Sequence, residues 1–265
     1  MTRIQRALAP VAERAARLAP GDFSEVISHL PDECPVIGGQ AVAWWAARYQ
    51  LTGDKGEAIT SAGIDFWGSR EDLKQMAKAL GRKPIFPNEY EMTVWVGAIQ
   101  LNIHGWNTVA EFLHTVPGLD TNDPAKASVE QQYAAGSLRK TIPILSPVSS
   151  VIAKLHCLRH FKQDQREDEL HLRISLAASH RFLTELLRQH EIRQVLWNCE
   201  RLIAASRLKP YRRLQAKYSL DILCAIPIKE IRLEAENQGQ TEVDRKRLIN
   251  FAQVRWEELR TSRKL

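Results

Sequence analysis

Two adjacent glycines, Gly38 and Gly39, follow the short apolar run Pro35-Val36-Ile37 and lead into Ala41 to Tyr49, a stretch rich in Ala and Trp. High helix propensity there predicts strand, tight turn, helix. Such a turn suits phosphate: without Cβ atoms the backbone approaches an anion closely, and the first N–H groups of the helix are free to donate to it. Gln40 adds a side-chain donor at the same place. A second segment, Ala58 to Trp67, is β-rich and carries Asp65. Strand alternation sends residues 63 and 65 to one face, the geometry two metal ligands need, although position 63 is glycine. Nucleotidyl transfer requires both parts, a cradle for a triphosphate and carboxylates that hold divalent cations near the attacking and leaving oxygens. A Gly-Gly turn after a strand is more often only a turn.

The elements that must position these residues read as mixed α/β. Ile4 to Leu18 has helical spacing and ends at Pro20-Gly21, before a second short helix around Phe23 to Leu30. Ser69-Arg70-Glu71-Asp72 supplies an N-cap and first-turn acids for a helix running through Leu80 and stopping at Gly81. Met92 to Val96 and Ala98 to Ile103 are strand candidates separated by Gly97, either a hairpin or a bulged continuation. Asp120 to Ala135 is polar with turn signals, and the apolar Thr141-Ile142-Pro143-Ile144-Leu145 follows. At Ser146-Pro147 an N-cap and an N1 proline open a helix over Val148 to Phe161. Helical patterns continue over Arg166 to His190, through Ala205, and from Leu248 to Leu259. The expected organisation is a helical lead-in over 1–34, a small mixed sheet with flanking helices over 35–145, and a helical domain over 146–265, with Thr261 to Leu265 a frayed tail.

Composition narrows the class. The 265 residues are 44% hydrophobic, ample for a packed core, so disorder as a class is excluded. Met1 to Pro20 lacks the apolar core of a signal peptide, and no run approaches a membrane span, so a cytoplasmic protein without membrane segments is expected. Cys34, Cys157, Cys199 and Cys224 lack any C-x-x-C spacing, which argues against a zinc ribbon or a disulfide framework. The net charge of +6 is uneven: residues 133–265 hold 25 Lys/Arg and 15 Asp/Glu, net +10, leaving 12 and 16, net −4, for residues 1–132. A basic half suggests a polyanion partner, and equally a solvated Arg-rich surface.

The order of motifs resembles the nucleotidyltransferase superfamily of the DNA polymerase beta-like fold. Its members share strand, Gly-Gly or Gly-Ser, helix, then a strand with two acids one residue apart, then a third acid on a later strand. Here Val36-Ile37-Gly38-Gly39-Gln40-Ala41 matches the first part, and Gly63-Ile64-Asp65-Phe66 the second with only Asp65 acidic. Gln100-Leu101-Asn102-Ile103 puts Asn102 at the third acid. Pro143 to Pro147, Ile152-Ala153-Lys154-Leu155 and Arg166-Glu167-Asp168-Glu169-Leu170 are similar to the abortive-infection nucleotidyltransferase toxins and their relatives. The resemblance covers roughly residues 35–175. It implies Asp65, Lys154 and Asp168 as catalytic residues, Asp65 as metal ligand, and Gly38, Gly39, Gln40 and Lys154 at the nucleotide, with Glu169 an alternative to Asp168. It implies Mg2+ and a nucleoside triphosphate, an RNA or protein acceptor, and an antitoxin or operon partner. With glycine and asparagine at two acid positions it also implies weak magnesium binding and little or no transfer. The bland readings are a packed helix lysine at 154 and first-turn helix acids at 168 and 169.

Three other constellations remain. His156, Cys157 and His160 lie within one helical turn but lack the glutamate of a metalloprotease pattern. Trp44-Trp45 offers a ring for base stacking, although adjacent helix residues diverge and at least one belongs to a core. Arg201, Arg207, Lys209, Arg212, Arg213 and Lys217 crowd one stretch, and Arg207, Lys209, Arg212 and Arg213 are the best candidates for phosphate-backbone contact. A competing function is therefore a non-catalytic module that keeps the fold and binds nucleic acid or protein.

Overall fold

The computed structural model describes residues 17–88, 93–119, 122–163, 166–236 and 241–263. The expected first helix lies outside them except for Arg17 and Leu18, and Leu18 forms an antiparallel bridge with Ser61. After a 3-10 turn, Pro20–Phe23, and helix α1 (Ser24–Ser28), strand β1 (Val36–Ile37) passes directly into helix α2 (Gly38–Tyr49). Then follow β2 (Ile64–Trp67), α3 (Arg70–Ala79), β3 (Pro84–Ile85), β4 (Trp95–Ile103) and β5 (Trp106–Leu113). A short α4 (Pro124–Ala127) precedes the hairpin β6 (Ser128–Ala135) and β7 (Leu138–Leu145), and helices α5 (Pro147–His160) and α6 (Asp168–Arg188) come next.

The seven strands form one mixed sheet in the order β3-β4-β5-β2-β1-β7-β6. β1 runs antiparallel to β2 and parallel to β7, and β2 runs parallel to β5. Local chemistry explains the helix starts. Ser69 accepts the Asp72 amide while the Asp72 carboxylate accepts the Ser69 amide, a reciprocal capping box, and Ser146 caps α5 by accepting from Ser149 N with Pro147 at the first position. Gly97 lies at a bulge in one continuous β4, not at a hairpin, and Leu73 of α3 packs onto it so closely that a Cβ there would meet Leu73 Cδ2 at 2.6 Å. Phe66 of β2 and Phe112 of β5, rings 5.1 Å apart, are fully buried on the same face of the sheet as each other.

Two expectations need correction. The polar stretch 128–135 is a strand: Gln131 and Gln132 pair with Ile142 and Thr141 on β7, and polar side chains are tolerated because most of them stay exposed or half-buried. The chain divides into two compact units, Met1–Ser175 and Leu176–Leu265, so the boundary falls within α6 and not after Leu145. Helix α5 belongs to the first unit because it is buried from Pro147 to Leu155, including Ser149, Ser150 and Lys154.

The second unit is helical throughout its described residues. Beyond the end of α6 it comprises α7 (Ile192–Arg207), α8 (Lys209–Lys217), a 3-10 turn at Ile222–Ala225, α9 (Ile228–Glu236), α10 (Glu242–Ile249), a π-helical stretch Asn250–Arg255, and α11 (Trp256–Arg263). Thr261 continues that last helix instead of fraying. No helix among the described residues is long and apolar enough to cross a membrane.

Candidate functional site

Asp65 is the centre around which the first unit gathers its unusual side chains. Its strand pairs with β1 so that Asp65 lies opposite Ile37, the residue before Gly38. Gly38 has φ +67, and a Cβ built on it would sit 1.9 Å from Asp65 Oδ2, so glycine is required twice over, by backbone conformation and by the carboxylate pressed against it. Gly39 is similarly close to Ser61 Oγ, at 2.7 Å, and to the His171 ring, at 3.2 Å, from its own would-be Cβ. The Gly-Gly start of α2 and Asp65 are therefore neighbours in space.

A second carboxylate stands beside Asp65, and it is Glu111. The register of the parallel pair β2 and β5 places Asp65 directly beside Glu111 on one face. Trp95 Nε1 donates to Glu111 Oε1 at 3.0 Å and fixes its orientation. Burial pushes the Asp65 carboxyl above its ordinary value, against the pull of Lys154 and Arg166. Burial, followed by the neighbouring Asp65 charge, pushes Glu111 up to about 7. Asn102 is thereby displaced from the role expected of it. It lies on β4, which β5 separates from β2, and its side chain is exposed and bonded to Asn107 across the hairpin. Glu111 lies on β5, a strand that the sequence reading does not include. The clue was available: His104-Gly105, both at positive φ, is a two-residue hairpin turn, and Thr108, Ala110 and Phe112 alternate inward after it.

Position 63 offers no ligand and has no room for one. A Cβ on Gly63 would lie 2.9 Å from the Val109 carbonyl oxygen, a backbone atom that cannot swing away. The glycine is a packing requirement of the β2 and β5 approach.

The cationic side of the hollow is built by α5 and the start of α6. Lys154, only 7% exposed, donates to Asp168 Oδ1 at 2.8 Å, and the Arg166 guanidinium grips both Asp168 oxygens. Burial works against the Asp168 charge, but the hydrogen bonds and charges of Arg166 and Lys154 outweigh it and hold the carboxyl down at about 2. Asp168 is thus a fixed anion that positions two cations near Asp65. Glu169 is turned away, paired with Arg173 at 2.9 Å. Two hollows meet at this cluster. One, about 240 Å3, is lined by Gly38, Asp65, Glu111, Ser150, Lys154 and Arg166 together with an apolar wall, and the other, about 320 Å3, by Gly39, Ser61, Asp65, Lys154, Arg166 and His171. Burial, then the charge of Lys154, push the His171 imidazole down to about 3, so it is neutral at ordinary pH.

Several expected residues lie elsewhere. Gln40 is buried and its amide donates to the Leu18 carbonyl at 2.9 Å, lining a separate small cavity, so it offers nothing to phosphate. Both tryptophans are taken by the interior: Trp45 donates to the Leu145 carbonyl and Trp44 stacks on Tyr133. His156 and His160 stack on each other at 4.3 Å, and all four cysteines are free. Among the described residues no group of three or more His, Cys, Asp or Glu is placed to hold a metal ion. The pair Asp65 and Glu111 fits a Mg2+ ion that keeps water or phosphate oxygens for its other positions, because this small, hard cation is commonly held by one or two carboxylates. In the second unit Arg207, Lys209, Arg212 and Arg213 are all exposed, whereas Arg201 is buried against Asn198 and the Trp197 ring.

Comparison of the chain with protein-family models, curated proteins and solved structures returned no match.

Proposed function

We propose that the hollow around Asp65 binds a nucleoside triphosphate with Mg2+, in the manner of a nucleotidyltransferase-like protein acting on an RNA or protein acceptor. The observation that carries this reading is the wedge of Asp65 between the Gly38 backbone and Glu111: a phosphate-ready helix start and two carboxylates within one hollow. Gly38 and Gly39 bring backbone N–H groups toward phosphate oxygens. Arg166, with its side chain 42% exposed, is the cation freer to reach a ligand, since Lys154 is enclosed with Asp168. Asp65 and Glu111 would hold the Mg2+, which when bound supplies positive charge to the phosphate oxygens. Because burial makes both carboxyls resist ionisation, and the Asp65 charge adds to this at Glu111, ion binding would release a proton from the pair.

Two acids instead of one raise the expected magnesium affinity above what Asp65 alone provides. The site lacks the ligand that position 63 would have contributed, so transfer is slow beside a site with three acids. The test is calorimetric titration with a nucleoside triphosphate, with and without Mg2+, alongside assays of label transfer to RNA and to protein. Nucleotide binding strengthened by Mg2+ and lost in both Asp65→Asn and Glu111→Gln supports the reading. Transfer abolished by the same changes assigns the activity. Binding that ignores Mg2+, with no transfer, leaves a non-catalytic nucleotide-binding module, and no binding at all overturns the proposal.

A further inference from the structure

We infer that the exposed face of α8, together with Arg207, is a docking surface for the phosphodiester backbone of a nucleic acid. The inference concerns the second unit alone and stands whether or not the hollow around Asp65 binds nucleotide. Between residues 201 and 220 the chain holds six basic and no acidic residues. The helix sorts them by face. Tyr211, Leu214 and Gln215 are buried, and Lys209, Arg212, Arg213, Ala216 and Lys217 form the outward side, at the three- and four-residue spacing that aligns side chains along one stripe. Arg207 stands exposed immediately before it. No ion pair or hydrogen bond from the side chains of Arg207, Lys209, Arg212 or Arg213 occurs among the described residues, and no acid lies within residues 201–220 to supply one locally. The first turn of α8 also carries no acid to offset the positive helix end.

Like charges crowded without counter-ions raise each other's energy, and a polyanion relieves that repulsion. A regular array of phosphates matches a stripe of guanidinium and ammonium groups repeating at each helical turn, and guanidinium grips phosphate through two parallel N–H bonds. A membrane surface fits less well. Surface helices insert an apolar face, and that face of α8 is already buried in its own unit, with Leu208 the one large apolar side chain exposed between 207 and 217. The absence of aromatic rings on the outward stripe favours backbone contact over base stacking, and so predicts little sequence preference.

The experiment measures binding of the full chain to a labelled 20-nucleotide single-stranded RNA, the same sequence as RNA and DNA duplexes, and vesicles of phosphatidylcholine with one-third phosphatidylserine. Four phosphate contacts predict a slope of log K against log salt of about −3 for the single strand, which is a loss of about 50-fold between roughly 50 and 200 mM salt. Arg212→Glu with Arg213→Glu should flatten that slope by at least about 1.4, while Lys74→Glu with Lys78→Glu, exposed bases on α3, changes net charge equally and leaves it intact. The three nucleic acids identify which backbone is preferred. If reversing α8 unsettles the helix, the neutral pair Arg212→Gln and Arg213→Gln gives the same comparison. Equal weakening by the two charge-reversed pairs means net charge alone acts, and overturns the proposal. So do vesicle binding without nucleic-acid binding, and binding to neither at low salt.

Discussion

The two units handle charge in opposite ways. Residues 1–175 hold 19 Lys/Arg and 20 Asp/Glu, net −1, and around Asp65 they bury charges in mutual contact; residues 176–265 hold 18 and 11, net +7, and leave cations on α8 exposed without partners. A buried charge is costly to strand, so each member of the first cluster is fixed by the others. An exposed charge costs little to remove, so α8 acts by number and spacing. The first arrangement yields a few groups of altered proton affinity in fixed positions, the kind of device that handles one small ligand. The second suits a long ligand of repeating charge.

The sharpest way to break the contrast is Asp168→Ala. It leaves Lys154 buried without its partner and should cost about 3–5 kcal/mol in denaturant unfolding. Arg212→Ala, by contrast, should stay within about 0.5 kcal/mol. If both cost the same, the first cluster is not the coupled unit described here.

The pH dependence comes next. Glu111 titrates near 7 in the folded chain and near its ordinary 4.5 unfolded, so between those values the folded state holds more protons. The contribution of Glu111 to stability is therefore fully present below about pH 4.5 and is lost as pH rises toward 7, by up to about 3 kcal/mol, so over that window the wild type should lose stability relative to Glu111→Gln, while His171, held down at about 3, acts in the opposite direction in both proteins. Asp168 acts in the other direction and another window. Its contribution is present above its ordinary 3.8 and lost as pH falls through about 2. Thermal melts of both proteins across pH 4.5 to 7.5 check the Glu111 part, and a stability difference between them that stays constant with pH would contradict it.

A smaller effect is expected from Gly63→Asp, the change that would place two acids one residue apart on this strand. The new Cβ meets the Val109 carbonyl at 2.9 Å, so the substitution should destabilise by about 1–3 kcal/mol and leave magnesium affinity unimproved. A stable variant that binds Mg2+ more tightly shows that β2 and β5 can part. Last, Trp95→Phe removes the bond to Glu111, worth about 1 kcal/mol, together with part of a buried ring, and should loosen Mg2+ binding.

The parts of the site that depend on neighbours in sequence were readable from it. Ser69 and Ser146 declare their helices through cap chemistry, and Gly38 declares its turn, because each acts within four residues. Lys154 and Asp168 were picked out by resemblance, but their pairing with each other is a product of how α5 and α6 meet. Glu111 escaped because its meaning lies in the parallel register with Asp65, 46 residues earlier, which no local pattern encodes. Gln40 misled for the converse reason: it sits beside the glycines in sequence, yet the helix turns its side chain to Leu18.

The bulge at Gly97 has a consequence for parity. Trp95 pairs with Leu113 and Gly97 with Phe112, so two steps along β4 match one along β5. In a regular, unbulged strand of the same residues, Trp95 would fall in phase with Ile99 and point to the side of the sheet occupied by Phe112, out of reach of Glu111. Deleting Val96 is thus predicted to straighten the strand without turning the indole: Trp95 then directly precedes Gly97, keeps Leu113 as its partner and stays on the side of the acid pair, whereas inserting one residue beside Val96 would send it to the Phe112 side.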